Sequence, residues 1–213
     1  VEQEVAPVIE EIMVGVDSRF HGAGREDVDA RMLGEGRPFV VEVLEPRHRV
    51  VDTEALTRAI NAAADGAVEV SPLQLASYEQ VERVKSLPAS KRYRAEVSFD
   101  RPVAEAELDD AMHSLTQQEI EQFTPRRVDH RRAELTRIRS VYDASVSDCD
   151  GTEAVLEIHG EGGLYIKELI SGDAGRTEPS VAELVGTPAT VTALDVLAVT
   201  SEDEAFEDPA YLL

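Results

Sequence analysis

The stretch from Thr136 to His159, TRIRSVYDASVSDCDGTEAVLEIH, decides the fold class. Two β-rich runs, TRIRSVYDASVSD and EAVLEIH, flank Asp150-Gly151, a dipeptide suited to a tight reversal because glycine takes positive φ without steric cost. The pattern therefore predicts an antiparallel hairpin. Working outward, Lys91 to Phe99 alternates Tyr93, Ala95, Val97 and Phe99 on one side, and Ala189 to Val199 reads as a last strand. Phe39 to Leu44, FVVEVL, is a further strand closed by Pro46, and Val68 to Leu75 reads as extended. Helical spacing appears at Val8, Ile9, Ile12 and Met13. It recurs over Asp52 to Ala64, with Asp52 or Thr53 as cap, and over Ala104 to Leu115. Shorter helices are expected at Leu164 to Ile170 and Ser180 to Leu184. Strands and helices mix without strict alternation, so the class is α+β with a mixed, largely antiparallel sheet flanked by helices. No linker or repeat divides the chain. A doubly wound dinucleotide fold is excluded on the same grounds, and Gly22 and Gly24 supply GxG with Asp27 where a third glycine would stand.

Composition narrows the function. The 213 residues carry 43 acidic and 21 basic side chains, a formal charge of −22. Only Lys85, Lys91 and Lys167 are lysines, leaving 18 arginines. An acidic, lysine-poor surface fits adaptation to high salt, where self-repulsion is screened. Val1 to Val14 is too acidic for a signal peptide and no long apolar run exists, so a soluble cytoplasmic protein is expected. The single Cys149 leaves no internal disulfide and no cysteine-rich zinc site. Two islands oppose the acidic background. Arg83 to Arg94 holds five basic residues and no acid, and Arg126 to Arg139 holds six arginines against Asp129 and Glu134. The remaining residues carry −31. Arginines dispersed in this way can be ordinary ion-pair partners. Two islands together read as phosphate contacts, through Lys91, Arg92, Arg126, Arg127, Arg131 and Arg132.

The loop GREDVDARMLGEGRPF, Gly24 to Phe39, crowds charge between glycines. It resembles the catalytic motif of the Pus-ten family of tRNA pseudouridine synthases. LPASKRYRAEV is similar to that family's Lys-x-Tyr-x-Ala segment, TPRRVDHRRAELTRIRSVY to its arginine-rich stretch, and GGLYIKELISGDAGRTEPS to its Gly-x-Tyr-Ile-Lys segment. The four occur in the family's order between Gly22 and Ser180. The resemblance implies a pseudouridine synthase fold with a central active-site cleft. It also implies an isomerase that breaks the N-glycosidic bond of uridine, turns the uracil and rejoins it through carbon, without cofactor or metal. The implied partner is tRNA, at uridines 54 and 55 of the TΨC loop, with no membrane and no obligate protein partner. The family's N-terminal RNA-binding domain, with cysteine pairs suited to zinc, has no counterpart here. Residues 1–213 are therefore expected to be the catalytic domain, ending in an acidic tail at 201–213.

By the same resemblance Asp27 is the reacting carboxylate, and Lys167 is the cation that keeps it ionised in a pocket closed to water. Arg25 is a second candidate for that role, or for a phosphate contact. Tyr93 is expected to stack on the extruded base, with Ile166 and Leu194 as apolar floor. Pattern alone makes these three core residues and Lys167 a surface lysine beside Glu168. Asp29 competes with Asp27, Arg31 and Arg37 are read as holding the loop's shape, and His21 and His130 lack metal-ligand spacing. Two other classes stay open at this point: a non-catalytic RNA-binding module built on the islands, and a metal-dependent transferase using Asp27-Val28-Asp29 as a DxD.

Overall fold

The computed structural model describes residues 1–201 apart from Val28 and Glu35, and apart from the side chains of Arg131 and Ser201. The acidic tail lies outside the described residues, as does Val28 of the DxD. In chain order the elements are α1 (Glu2–Met13), β1 (Asp17–Gly22), β2 (Ala30–Met32), β3 (Phe39–Leu44), α2 (Thr53–Ala63), α3 (Tyr78–Ser86), β4 (Ala89–Phe99) and α4 (Glu105–Thr116). There follow β5 (Glu119–Phe123), a 3-10 helix (Arg126–Arg131), β6 (Thr136–Cys149), β7 (Glu153–Gly160), α5 (Ile166–Ser171), a 3-10 turn (Gly172–Ala174), β8 (Thr177–Glu178), α6 (Val181–Leu184) and β9 (Ala189–Ser201).

The chain packs as two compact units, crossing between them after Arg25, Arg37 and Leu87. The crossings fall in loops, which explains why no linker is visible in the sequence. The first unit, Val1–Arg25 with Pro38–Leu87, pairs β1 with β3 antiparallel from Asp17↔Leu44 to Gly22↔Phe39. Its core gathers Val5 and Ile9 of α1, Leu56 and Ile60 of α2, and Val70. Asp52 caps α2 as the sequence suggests, its carboxylate accepting from the Ala55 N–H at 3.0 Å. The 68–75 segment, read as extended from the sequence, forms no strand. Asn61 bonds both backbone groups of Val70, and the Thr57 hydroxyl accepts from Leu73 N–H, so side chains of α2 take the place of a neighbouring strand.

The second unit, Glu26–Arg37 with Pro88–Ser201, is built on a seven-stranded sheet in the order β2-β9-β4-β7-β6-β5-β8. Every pairing is antiparallel except β2 with β9. This is the α+β class expected, and the β6–β7 hairpin turns at Asp150-Gly151 with Gly151 at φ +102°. Alternation buries Tyr93, Ala95, Val97 and Phe99 with Leu108, Met112 and Leu115 of α4, Leu169 and Ile170 of α5, and Val181 of α6. Burying a side chain of this size contributes about 1.5–3 kcal/mol, so this face anchors the unit. Two glycines permit close approaches next to the site described below. A Cβ on Gly34, at φ +67°, would stand 2.2 Å from the Leu197 carbonyl oxygen, and one on Gly162 would stand 2.3 Å from that of Ala89.

Candidate active site

The Glu26–Arg37 part of the charged loop belongs to the second unit. Asp27 sits just before β2, where the Ala30 N–H donates to its carbonyl at 3.1 Å and closes a turn. The β2 segment is only three residues long, and it runs parallel to β9 with Ala30 opposite Leu194 and Arg31 opposite Asp195. Asp195, with its side chain 3% exposed, accepts two bonds from Arg31 at 2.7 and 3.0 Å and one from Arg94 at 2.8 Å. The Arg31 guanidinium first, and Arg94 with it, holds the Asp195 carboxyl below its ordinary range against the opposing effect of burial. Arg31 thus holds the loop's shape, as read from the sequence, and its partner is Asp195.

Two cations meet Asp27. Arg127 Nη1 donates to Oδ1 at 2.5 Å, and Lys167 Nζ stands 3.9 Å from Oδ2. The same Lys167 ammonium lies 2.7 and 2.6 Å from the two oxygens of Asp29 and lowers that carboxyl's pKa. Lys167 is therefore shared, with Asp29 nearer. Arg127 is shared too, its Nε donating to Glu168 at 2.6 Å and its Nη2 at 3.2 Å. Burial works against the guanidinium's charge, but the bonds and charges of Glu168 and Asp27 outweigh it and raise its pKa. Arg127 is a fixed positive charge.

Local structure explains why these groups converge. Buried Gln122 of β5 clamps Tyr165 through both backbone groups, at 2.8 and 2.9 Å, and so fixes the start of α5. The next three residues are Ile166, buried in the core, Lys167 pointing to the aspartates, and Glu168, 4% exposed, facing Arg127. The 3-10 helix carrying Arg127 is pinned by Thr124, whose hydroxyl donates to Ala133 O and accepts from Leu135 N–H, and by Asp173, which accepts from Arg126 N–H. Arg127 also lies over the Tyr165 ring, 5.8 Å from its centroid.

Tyr93, Ile166 and Leu194 belong to one buried cluster, with Tyr93 3% exposed. Burial first, then the charges of Glu26 and Asp27 and a hydrogen bond to Glu26, push the Tyr93 phenol far above its usual range, with Arg37 opposing. The hydroxyl stays protonated. Of the residues read as phosphate contacts, Arg126 and Arg132 are exposed and Arg92 is half-buried, 3.9 Å from Asp143. The Arg131 side chain lies outside the described residues. Lys91 differs from the rest, since it is 6% exposed and its ammonium is paired with Glu26. Arg25 falls in the first unit and is exposed. His21 is bonded to Glu42 and His130 is exposed.

Sequence reasoning does not single out Glu26, Glu168 or Asp195, nor Arg127 as the partner of Asp27. Their pairs join residues 41 to 164 positions apart, and acids in so acidic a chain carry no individual signal. Among the described residues no group of three or more His, Cys, Asp or Glu side chains could hold a metal, and no helix is long and apolar enough to cross a membrane. A cavity of about 410 Å³ is lined by Gln118, Glu119, Glu121, Ile138, Glu178, Pro179 and Glu183, none of them in the charged cluster.

Comparison with known proteins places the chain in a family. Residues 1–200 match the family model described as "Pus10, C-terminal". The chain is 62% identical over 207 residues to the tRNA pseudouridine synthase Pus10 of Halorubrum lacusprofundi, covering 97% of this chain and 48% of that protein. It is 50% identical over 200 residues to the protein of the same name from Archaeoglobus fulgidus, covering 94% and 55%. The chain thus spans about half the length of these curated relatives. Among solved structures it is similar to a chain of a Cbf5-Nop10-Gar1 complex, with a TM-score of 0.56 and 21% identity over 95% of this chain and 47% of that one, a likeness of fold. A family model matched over residues 1–200, with relatives at 50–62% identity across more than nine-tenths of the sequence, shows that the chain belongs to the Pus10 C-terminal family.

Proposed function

We propose that this chain is the catalytic portion of a tRNA pseudouridine synthase, acting on uridine in the TΨC loop at position 54, 55 or both, with Asp27 as the reacting carboxylate. The observation that carries the reading is the Asp27 side chain, contacted by Arg127 and Lys167 on a loop that the sheet holds on both flanks. The reaction needs an ionised carboxylate near the glycosidic bond, to attack C1' or C6 or to remove the C2' proton. N1–C1' breaks, C5–C1' forms, the proton on C5 leaves and N1 gains one, so the product is an isomer and no redox partner is required. Arg127 and Lys167 contact the carboxylate and orient it.

Tyr93, Ile166 and Leu194 are the expected lining for the base. Because Tyr93 is 3% exposed, a uracil reaches its ring only when side chains above it part. Arg127 is the group for which an RNA phosphate competes, having one hand on Asp27 and the other on Glu168. Arg126 and Arg132 are exposed and are the further candidates for phosphate contact. The test is turnover on an unmodified tRNA transcript, with and without chelator, mapped by a primer-block assay. Pseudouridine at 54 or 55 in both conditions is expected. Binding without turnover points instead to an RNA-binding module, and loss with chelator to a metal-dependent transferase.

A further inference from the structure

Lys91 stands in the first basic island, yet its side chain is 8% exposed and its ammonium contacts the Glu26 carboxylate, itself 16% exposed. Glu26 is the residue immediately before Asp27. Tyr93 lies two residues beyond Lys91 on the same face of β4, and the Glu26 charge acts on its phenol. The pair therefore ties the backbone that carries Asp27 to the strand β4, beside the ring expected to face the base. On the other flank Arg31 ties the loop to Asp195 of β9, the strand adjacent to β4 in the sheet.

We propose that the buried Lys91–Glu26 pair is a positioning device for Asp27 and Tyr93 and not a contact to RNA phosphate. This rests on the reading of Asp27 as the reacting group. An exposed lysine at a phosphate adds one counterion's worth of salt dependence to RNA binding and acts on affinity. A lysine with its ammonium in a buried pair adds none. Its removal leaves Glu26 uncompensated, so the carboxylate turns toward water and draws Asp27 and the Tyr93 hydroxyl out of register. Displacement of a reacting group by about 1 Å can cost on the order of 100-fold in rate.

The experiment compares Lys91→Arg, Lys91→Met and the double variant Glu26→Gln/Lys91→Met with the unmodified chain. It reads kcat and KM on a T-loop transcript, and RNA affinity as a function of KCl. Lys91→Arg keeps the charge. A phosphate contact tolerates it, whereas a site shaped for a compact ammonium does not. The expected result is a fall in kcat of about tenfold or more in all three variants, with KM within about twofold and the salt slope unchanged. The double variant, which leaves no unpaired buried charge, should melt closer to the unmodified chain than Lys91→Met does. A raised KM and a shallower salt slope in Lys91→Met, with kcat retained, would make Lys91 a phosphate contact and overturn the proposal. Full kcat in the folded double variant would reduce the pair to a structural role and overturn it equally. Absence of turnover in the unmodified chain counts against the isomerase reading alone, and the affinity and salt slope then decide the proposal.

Discussion

Asp27 is one carboxylate among 43 acidic residues, and what separates it from the others is who reaches it. The sequence points to it through the Gly-Arg-Glu-Asp string and pairs it with Lys167. The fold does bring Lys167 within 3.9 Å, and it also supplies Arg127 at 2.5 Å, a residue the sequence reads only as part of a basic island. A charge count along the chain registers that an arginine is present, but not that a 3-10 turn pinned by Thr124 and Asp173 aims it at Asp27 and Glu168. Asp29 is the informative neighbour, because it holds the Lys167 ammonium at 2.6–2.7 Å and so competes with Asp27 for it. Lys167→Met should therefore lower kcat by about tenfold or more at unchanged tRNA affinity. Asp29→Asn, which frees Lys167 for Asp27, should keep the rate within about threefold. Steady-state kinetics on the two variants check this. An unaffected rate in Lys167→Met would make that lysine no more than the surface partner of Asp29.

At the scale of elements, segments with a clear period, cap or glycine boundary are legible, including the short β3, α5 and α6. The β6–β7 hairpin, β4, β9, α2 and α4 stand within a few residues of where alternation and caps put them. The sequence gives no warning of β1, α3 or β5, nor of β2, whose three residues are too few for any period to show. Yet β2 sets the position of Asp27, and what holds it is Asp195, joining β2, β9 and β4 through Arg31 and Arg94. The Asp195 pKa is depressed in the fold. Its stabilisation is therefore complete above the ordinary aspartate value of 3.8 and is lost as pH falls through the lower folded value. Asp195→Asn should cost about 1–2 kcal/mol at neutral pH, at the low end for charge-assisted bonds because Arg31 is largely solvated. It should also flatten the acid limb of the stability curve below about pH 4. Denaturant unfolding across pH checks both, and an acid limb as steep as in the unmodified chain would contradict the assignment.

Over the whole molecule, the acidic composition and the family reading pull in opposite directions, since a chain at −22 is asked to hold a polyanion. The fold sorts the cations. Several of the island cations are turned toward acids of the protein itself, Lys91 to Glu26 and Arg127 to Asp27 and Glu168, while Arg126 and Arg132 remain exposed. Basic residues that look alike in composition therefore divide into those paired with the protein's own acids and those left exposed. The division into two units was illegible because, among the described residues, the chain crosses between them three times, and the first two crossings bound the 26–37 excursion that carries Asp27. The central claim is that this excursion delivers one reacting carboxylate to a uridine of tRNA. Its most direct test is pseudouridine formation on a T-loop transcript by the unmodified chain and by Asp27→Asn, with melting temperature and RNA affinity measured on the same samples. The account expects Asp27→Asn to lose activity by about a thousandfold or more, with folding and binding nearly intact, because the change removes charge and nucleophilicity but little volume. Turnover by Asp27→Asn near the rate of the unmodified chain would contradict it.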